Sequence, residues 1–407
     1  MIEIILAVAS FTIIVLLLTL FVLAAKRLLV PSGECNIIIN SSKTVSAEIG
    51  RRLLDVLTGV GINLPTACAG AGTCGLCKAR VINGIGEPGP QEIALMSRNE
   101  IAKGTRLACQ VPVMSSLNVE IDEIYFGVKT WQCTVTSVRQ VSTLICEILL
   151  ELPEGEKLEF RPGSFVQVTC PAYQLDFSQL EIDDAYRDVW DKSGLWSLKA
   201  STGETATRAY SVANKPGACH SICLNIRIAL PPTRSSNIPP GVVSSWLFSR
   251  KPGDAVEVTG PYGLFFVEST EKEAIFIGGG VGMAPLYAQV LDLLEAQQSK
   301  RKISYWYGAR SKRELYYDNQ FERLQSEYRN FSWHVALSEP EPSDKWQGQT
   351  GFIHKIIYDE YLSSHAAPED CEYYLCGPPL MVKAVLVMLD DLGVDADAIH
   401  YDDFGGG

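Results

Sequence analysis

Four cysteines of this chain are spaced like the ligands of a metal centre. Cys68, Cys74 and Cys77 lie in the glycine-rich stretch CAGAGTCGLCK, and Cys109 follows after 31 further residues. Zinc sites usually contain two close cysteine pairs, whereas this chain has one, and no βαβ pattern surrounds that pair as a thioredoxin-like site would require. Three cysteines in a glycine-rich loop with a distant fourth instead predict a 2Fe–2S cluster, which these four thiolates ligate.

The remaining cysteines and the histidines have no comparable spacing. We expect most of these cysteines to be apolar filler residues and these histidines to be core or surface residues. They are Cys35, Cys133, Cys146, Cys170, Cys219, Cys223, Cys371 and Cys376, with His220, His334, His354, His365 and His400.

A second group of motifs has the chemistry to bind a flavin and a dinucleotide. Arg208, Tyr210 and Ser211 lie in RAYS. An arginine can pair with a phosphate, a tyrosine can stack on the isoalloxazine ring, and a serine hydroxyl can reach the polar edge of that ring. Further on, the glycine run of GGGVGMAP follows the apolar stretch AIFI and precedes a helical pattern. A strand, a glycine run and a helix in this order form the context of a dinucleotide site.

These motifs resemble those of the ferredoxin–NADP reductase superfamily, whose members carry R-x-Y-S at the flavin. The resemblance implies FAD, with its pyrophosphate at GVVS (241–244), the nucleotide at the glycine run and the nicotinamide beside CGPP (376–379). The residues that it assigns to cofactor binding are Arg208, Tyr210, Ser211, Gly241, Ser244, Gly278, Gly280, Gly282, Pro285, Gly377, Pro378 and Phe404.

The same resemblance implies where the reaction takes place. Ser211 and Cys376 would border the path of a hydride from NADH to the flavin. Phe404, in the tail YDDFGGG, is similar to the C-terminal aromatic residue that stacks on the flavin and moves aside for the nicotinamide. A flexible glycine tail is the alternative for this segment.

The cysteine motif resembles that of 2Fe–2S ferredoxins. Its C-x5-C-x2-C spacing has one residue more than the plant type, and is similar to the vertebrate and oxygenase-linked variants. The surrounding pattern predicts a strand at 35–39, an amphipathic helix before Cys68 and a helical stretch near 92–101. We therefore expect a β-grasp 2Fe–2S ferredoxin domain at residues 33–126.

The rest of the chain changes pattern twice. Short alternating strands with Gly/Pro turns predict an antiparallel β-barrel, the FAD-binding domain at 129–268. From Ala274, apolar strands alternate with helices and predict a Rossmann-like parallel sheet, the NADH-binding domain at 269–407. The fold class is thus multidomain, α+β and α/β.

The first residues predict a membrane anchor. Residues 2–25 contain one charge, a glutamate near the start, and such a helix would span about 36 Å, enough for a hydrocarbon core of about 30 Å. A cleaved signal peptide would need a basic start, whereas here Lys26 and Arg27 follow the apolar run. The basic pair predicts a single-pass transmembrane anchor at 1–27 with all other domains in the cytoplasm.

From anchor to tail, the chain resembles the NADH-oxidising F subunits of the bacterial Na+-translocating NADH:quinone oxidoreductases. This resemblance implies an inner-membrane complex in which NADH reduces FAD, the 2Fe–2S cluster passes single electrons to other membrane and redox subunits, and ubiquinone is the final acceptor. One span without an ionisable residue in its middle offers no ion pathway, so other subunits would translocate Na+. The alternative is a membrane-tethered NADH-dependent reductase that donates electrons to an oxygenase.

Two features remain open, and one class of partner is excluded. Arg310, Lys312 and Arg313 could pair with the 2′-phosphate of NADPH or form a solvated helix start; the resemblance favours NADH. The acidic insert at 174–196 is either a solvated loop or a docking surface for a partner. A net charge of −12 argues against nucleic acid as a partner.

Overall fold

The computed structural model describes residues 11–21, 33–66, 68, 70–215, 217, 220–231, 238–263 and 265–402. The chain divides into two compact units, Met1–Gly127 and Val128–Gly407.

The first helix, α1, covers residues 11–21. Within the described residues, no helix is long and apolar enough to cross a membrane. This finding does not support the predicted anchor at 1–27, of which residues 1–10 and 22–27 lie outside the described part of the chain.

The rest of the first unit is built on a five-stranded mixed sheet with the strand order β2-β1-β5-β3-β4. The central pair β1 and β5 is parallel, and the other pairs are antiparallel. The strands are β1 (Glu34–Ile39), β2 (Lys43–Glu48), β3 (Lys78–Asn83), β4 (Thr105–Leu107) and β5 (Leu117–Glu120). The predicted strand at 35–39 is confirmed.

Three short helices complete this unit: α2 (Leu53–Gly59), α3 (Pro90–Leu95) and α4 (Arg98–Ala102). Helix α2 buries its leucines in the core against the sheet. The predicted helical stretch near 92–101 is two helices rather than one. The helical stretch is interrupted at Ser97, because the Ser97 hydroxyl accepts the N–H of Glu100 and caps α4.

The second unit begins with an antiparallel barrel of strand order β11-β8-β13-β6-β7-β12. A bridge between Val212 and Leu224 joins the two edge strands, so the predicted barrel is confirmed. Its strands are β6 (Lys129–Ser142), β7 (Ile145–Glu151), β8 (Phe165–Cys170), β11 (Ala206–Ser211), β12 (Ser221–Arg227) and β13 (Ala255–Tyr262), with helix α6 (Val242–Phe248) packed against the barrel.

The acidic insert is folded, so its interpretation as a solvated loop is wrong. It contributes β9 (Tyr173–Asp176) and α5 (Asp184–Ser193), and β9 pairs with β10 (Lys199–Thr202). Trp190 of α5 is fully buried in the barrel core beside Phe177, and its indole N–H donates to the carbonyl of Thr143 at 2.9 Å. Apolar residues among the acidic ones fix this segment to the barrel.

The insert's acidic side chains face cations of the same unit. Asp188 pairs with Arg313, Asp176 with Lys199, and Glu181 with Lys251. The docking-surface interpretation of the insert stays a prediction, although these carboxylates are already engaged.

The last part of the second unit is a parallel six-stranded sheet of order β17-β16-β15-β14-β18-β19, as predicted. Its strands are β14 (Ala274–Gly279), β15 (Ile303–Ala309), β16 (Phe331–Leu337), β17 (Gln349–Thr350), β18 (Glu372–Cys376) and β19 (Ile399–Asp402). The connecting helices are α7 (Met283–Leu291), α8 (Asp318–Glu327), α9 (Ile353–Glu360) and α10 (Pro379–Asp391). In such sheets ligands bind at the carboxyl ends of the strands.

Candidate functional site

The structure brings the four predicted cluster cysteines together as two contacting pairs. The thiols of Cys68 and Cys74 lie close enough for Cys74 to shift the pKa of Cys68, and those of Cys77 and Cys109 shift the pKa of each other. Charges on Cys68 and Cys109, and on Cys74 and Cys77, are close enough to interact. Three thiols of the loop and one from the segment after β4 thus form two pairs, which match a cluster in which each of two irons takes two cysteines.

Hydrogen bonds in this loop favour thiolates, the form that binds metal. Burial alone would raise the pKa of Cys68, but hydrogen bonds from Thr73 and Cys74 lower it to about 6. The contact with Cys77, opposed by burial, lowers the pKa of Cys109 to about 6, and the pKa of Cys77 rises in return. The donor set therefore fits a 2Fe–2S cluster.

Glycines let the cysteine loop wind closely around one point. Gly70, Gly72 and Gly75 all have φ between +69° and +82°, a conformation that favours glycine. A Cβ on Gly72 would lie 2.4 Å from the side-chain nitrogen of Gln110. Arg52 fixes the loop by donating to the carbonyl of Gly70 at 3.2 Å, and its positive charge also favours the thiolate of Cys109.

A buried ion pair holds the segment that carries the fourth cysteine. The carboxylate of Glu92 accepts from Arg106 at 2.6 Å, from the N–H of Leu107 at 2.9 Å and from the N–H of Gly89 at 2.8 Å. Both charged side chains are almost fully buried. Cys109 therefore follows a strand whose position is set by a fully satisfied charge pair.

The predicted flavin residues lie on β11 and α6, which pack against each other. On β11, Arg208 is exposed, Tyr210 is half-buried and Ser211 is buried. The hydroxyl of Ser244 donates to the carbonyl of Gly241 at 3.1 Å and accepts the N–H of Ala229 at 3.2 Å. Ser244 can thus serve a phosphate only through its backbone N–H, as a helix start allows.

The start of helix α6 is too crowded for a side chain at position 241. A Cβ there would lie 2.7 Å from both the Cβ of Ala229 and the hydroxyl oxygen of Ser244. Because the N–H groups of the first turn of α6 have no partners within the helix, the residues present fit a flavin whose pyrophosphate is held by backbone N–H groups.

The predicted nucleotide residues meet at the carboxyl ends of three neighbouring strands. In the sheet register, Gly278 of β14 lies beside Cys376 of β18, which in turn lies beside Asp402 of β19. A Cβ on Gly282 would lie 2.0 Å from the carbonyl oxygen of Cys376, and one on Gly377 would lie 3.0 Å from the backbone nitrogen of Gly279. The two motifs are thus in direct backbone contact, and the arrangement fits a dinucleotide laid across the strand ends.

Two tyrosines hold the glycine run in place. Gly280 has φ +54°, and its carbonyl accepts the hydroxyls of Tyr307 and Tyr316 at 3.0 Å each. Pro285 is buried in the first turn of α7, where the missing N–H costs no helical hydrogen bond. Pro378 precedes α10 at its N-cap position.

The barrel and the nucleotide sheet meet at a pair that the sequence did not reveal. The hydroxyl of Ser211 donates to the carboxylate of Asp402 at 3.4 Å, across 191 residues of sequence. This contact brings the predicted residues Ser211 and Cys376 to the same strand ends. The acidic tail YDDF was the only signal for Asp402, and the predicted residue Phe404 lies outside the described residues.

A further group of possible ligands lies at the amino ends of β14 and β18, opposite the strand ends that carry the nucleotide motifs. Among the described residues, one carboxylate, one imidazole and one thiol converge within 4.8 Å, from Glu273, His365 and Cys371. His365 Nδ1 accepts the N–H of Ala367, so Nε2 carries the proton that faces Glu273, and Lys302 also pairs with this carboxylate. We interpret the group as a hydrogen-bonded network rather than a cation site.

Three domain families match the chain. Residues 37–114 match the 2Fe-2S iron-sulfur cluster binding domain, residues 195–267 the oxidoreductase FAD-binding domain, and residues 276–386 the oxidoreductase NAD-binding domain. The domains for all three expected cofactors are therefore present, in the expected order.

Full-length relatives decide the family. The chain is 48% identical over 407 residues to the F subunit of the Na(+)-translocating NADH-quinone reductase of Methylococcus capsulatus, and the match covers 100% of both chains. It is 48% identical over 404 residues to the protein of the same name from Marinomonas sp., covering 99% of each chain. This chain belongs to that family of F subunits. The motif resemblance noted in the sequence is thereby confirmed.

Two solved reductases share the fold of this chain. The Amycolatopsis cytochrome P450 reductase GcoB matches with a TM-score of 0.65 and 25% identity, covering 91% of this chain and 98% of that one. The ferredoxin reductase in carbazole 1,9a-dioxygenase matches with a TM-score of 0.58 and 25% identity, covering 92% and 99%. The three-domain arrangement is thus shared beyond the family, whereas the high identity is with the family's own members.

Proposed function

We propose that this chain is the NADH-oxidising, electron-input subunit of a Na+-translocating NADH:quinone oxidoreductase. The observation that carries the proposal is 48% identity over the whole length to a relative of that name. The cysteine loop and the strand-end site, which fit the three cofactors of such a protein, support it.

The residues of the second unit have distinct tasks in this function. Arg208 pairs with a flavin phosphate, Tyr210 stacks on the isoalloxazine ring, and the backbone at 241–244 holds the pyrophosphate. The glycine run from Gly278 to Gly282 and the CGPP loop hold the dinucleotide against the strand ends. When bound here, FAD would supply hydride acceptance from NADH and release of single electrons, which a 2Fe–2S cluster requires.

Ser211, Cys376 and Asp402 control the space where the hydride passes. The Ser211 hydroxyl holds its proton toward the Asp402 carboxylate, which leaves the serine oxygen to accept a hydrogen bond from a ring edge. Cys376 is fully buried beside Gly278 and presents a small apolar side chain that excludes water from the strand ends. The role of Phe404 as an aromatic cover of the flavin stays a prediction, since this residue lies outside the described residues.

In the first unit, Cys68, Cys74, Cys77 and Cys109 ligate the cluster. The cluster would supply one-electron transfer to other redox subunits, with ubiquinone as the final acceptor, and other subunits would translocate Na+. We further propose that residues 1–27 anchor the protein in the bacterial inner membrane, with the three domains that follow in the cytoplasm. The basic pair after the apolar run supports this orientation.

The decisive experiment measures NADH-driven quinone reduction by the tagged full-length protein, purified from detergent-solubilised membranes, with and without Na+. We expect Na+-stimulated activity and co-eluting membrane subunits. NADH oxidation without a Na+ effect and without membrane partners would instead favour the alternative, a reductase that donates electrons to an oxygenase. The fold that this chain shares with the cytochrome P450 reductase is consistent with that alternative. A variant lacking residues 1–30 should be soluble and still reduce ferricyanide with NADH; if it sediments with membranes, the anchor proposal fails.

A further inference from the structure

The strand end that follows the glycine run carries three basic residues. In dinucleotide folds the adenosine ribose lies at the end of the strand after the glycine loop and its helix, where an acidic residue binds the 2′-OH of NADH or an arginine binds the 2′-phosphate of NADPH. Here that strand is β15, and Arg310, Lys312 and Arg313 follow it directly. By this pattern alone the site would be suited to NADPH.

The structure places a carboxylate on the first of these cations. Arg310 donates to Glu339 at 2.8 Å, and both side chains are largely exposed, at 76% and 65%. Glu339 follows the neighbouring strand β16, and its backbone N–H donates to the carbonyl of Arg310 at 2.7 Å. The acidic residue at the ribose edge thus comes from the next strand, where the sequence pattern does not reveal it.

The acidic insert supplies the second carboxylate. Arg313 donates to Asp188 of helix α5 at 2.6 Å, and Glu341 lies 3.7 Å from the same guanidinium. Asp344 also accepts the backbone N–H of Lys312 at 3.0 Å. The two guanidinium groups that could bind a phosphate are therefore already paired with carboxylates.

The charges around this strand end also oppose a phosphate. Three cations, Arg310, Lys312 and Arg313, face four carboxylates, so the site has no net positive charge. A 2′-phosphate would have to displace a carboxylate from its arginine, and would then remain close to that displaced carboxylate. The ribose hydroxyl of NADH carries no charge and can donate to such a carboxylate.

We propose that Glu339 and Asp188 set the preference of this protein for NADH, by occupying the two arginines and repelling the 2′-phosphate of NADPH. This inference rests on the proposed function, that the chain oxidises NADH. It also gives the acidic insert a task, since α5 brings Asp188 to the nucleotide site of the same unit.

The test uses the full-length protein with ferricyanide as acceptor and compares Glu339→Gln, Asp188→Asn and the double variant. Steady-state kcat/KM is measured for NADH and for NADPH at low and high salt. We expect kcat/KM for NADPH to rise about tenfold for each charge removed, because a doubly charged phosphate feels each nearby carboxylate strongly. The gain should come mainly through KM, because the 2′-phosphate lies away from the reacting ring, and should shrink at high salt.

Glu327→Gln is the matched control. Glu327 pairs with Arg323 on α8 at 3.5 Å, and this exposed arginine–glutamate pair lies outside the basic strand end. The control should leave the NADPH:NADH ratio of kcat/KM unchanged. A ratio that stays unchanged in Glu339→Gln and in the double variant, with FAD fully bound and NADH oxidised, would overturn the inference. A wild-type protein that binds FAD but does not oxidise NADH would instead refute the proposed function.

Discussion

Cys74 and Cys35 are both half-buried thiols of the first unit, but only Cys74 lies in the cysteine loop. Cys74→Ala should abolish the 2Fe–2S signal, because three thiolates cannot complete two irons that each need two. NADH-to-ferricyanide activity through the flavin should persist. Iron content, visible absorbance and electron paramagnetic resonance measure the first effect, and steady-state rates the second. Cys35→Ala serves as the control and should keep its cluster; a Cys74→Ala protein with full quinone reduction would refute the ligand assignment.

The buried pair of Glu92 and Arg106 makes the cluster domain sensitive to loss of one charge. Glu92→Gln leaves the Arg106 guanidinium buried without its partner, which costs about 3 kcal/mol. The thermal midpoint at which the cluster absorbance is lost should therefore fall well below that of the wild type. Glu120→Gln removes a carboxylate from an exposed pair with Arg80 and should shift the midpoint little. Equal shifts in the two variants would contradict this account.

The same pair predicts acid sensitivity. Burial would raise the pKa of Glu92, but the hydrogen bonds from Arg106, Gly89 and Leu107 outweigh it and lower the pKa. The stabilisation is then present above the pKa of the unfolded chain and is lost as pH falls through the lowered value. The stability difference between wild type and Glu92→Gln, measured by thermal unfolding across a pH series, should accordingly shrink on acidification.

The spacing of residues within short segments was sufficient to predict some functional residues but not others. The cysteine motif and the strand–glycine–helix order lie within short segments, so the sequence predicts them directly. Asp402 and Glu339 gain their significance only from folding, because their partners lie 191 and 29 residues away. Sequence spacing carries no signal for contacts of this kind.

Among the elements, the barrel and the parallel sheet were predictable because their strands have simple apolar patterns. The insert was not, since its many acidic residues obscure a few apolar anchors such as Phe177 and Trp190. Likewise, the predicted helix at 92–101 is interrupted by a capping serine, a local hydrogen bond that a helical pattern does not reveal.

Trp190 should be the main anchor of the insert. Its side chain is fully buried, contacts Phe177 and Trp196, and donates a hydrogen bond to Thr143. Trp190→Ala should lower the stability of the second unit by about 3–5 kcal/mol, the usual cost of a large core deletion. The loss of stability is measured by urea unfolding, which is monitored through the fluorescence of FAD as the flavin is released. Lys192→Ala, at an exposed position of the same helix, should have almost no effect; similar midpoints for both variants would show that α5 is not an anchor.

Across the whole chain, each unit has a hydrophobic core of its own. The core of the first unit is formed by buried apolar residues that lie between Ile37 and Ile121 in the sequence. In the second unit, one core includes both Val141 and Ile145 of the barrel and Phe276 of the nucleotide sheet, so these two parts share their packing. The residues proposed for hydride transfer lie entirely within the second unit, and the proposed cluster ligands within the first.

This division predicts that the second unit is self-sufficient. A protein of residues 128–407 should fold, bind one FAD and reduce ferricyanide with NADH, because its core, its flavin residues and its nucleotide residues are all retained. It should show no cluster signal. The FAD-to-protein ratio and kcat with NADH are measured beside the full-length protein. A protein of residues 200–407 is the control: it lacks β6 to β8, cannot close the barrel and should bind no FAD. If the 128–407 protein also fails to bind FAD while the full chain does, the second unit depends on the first.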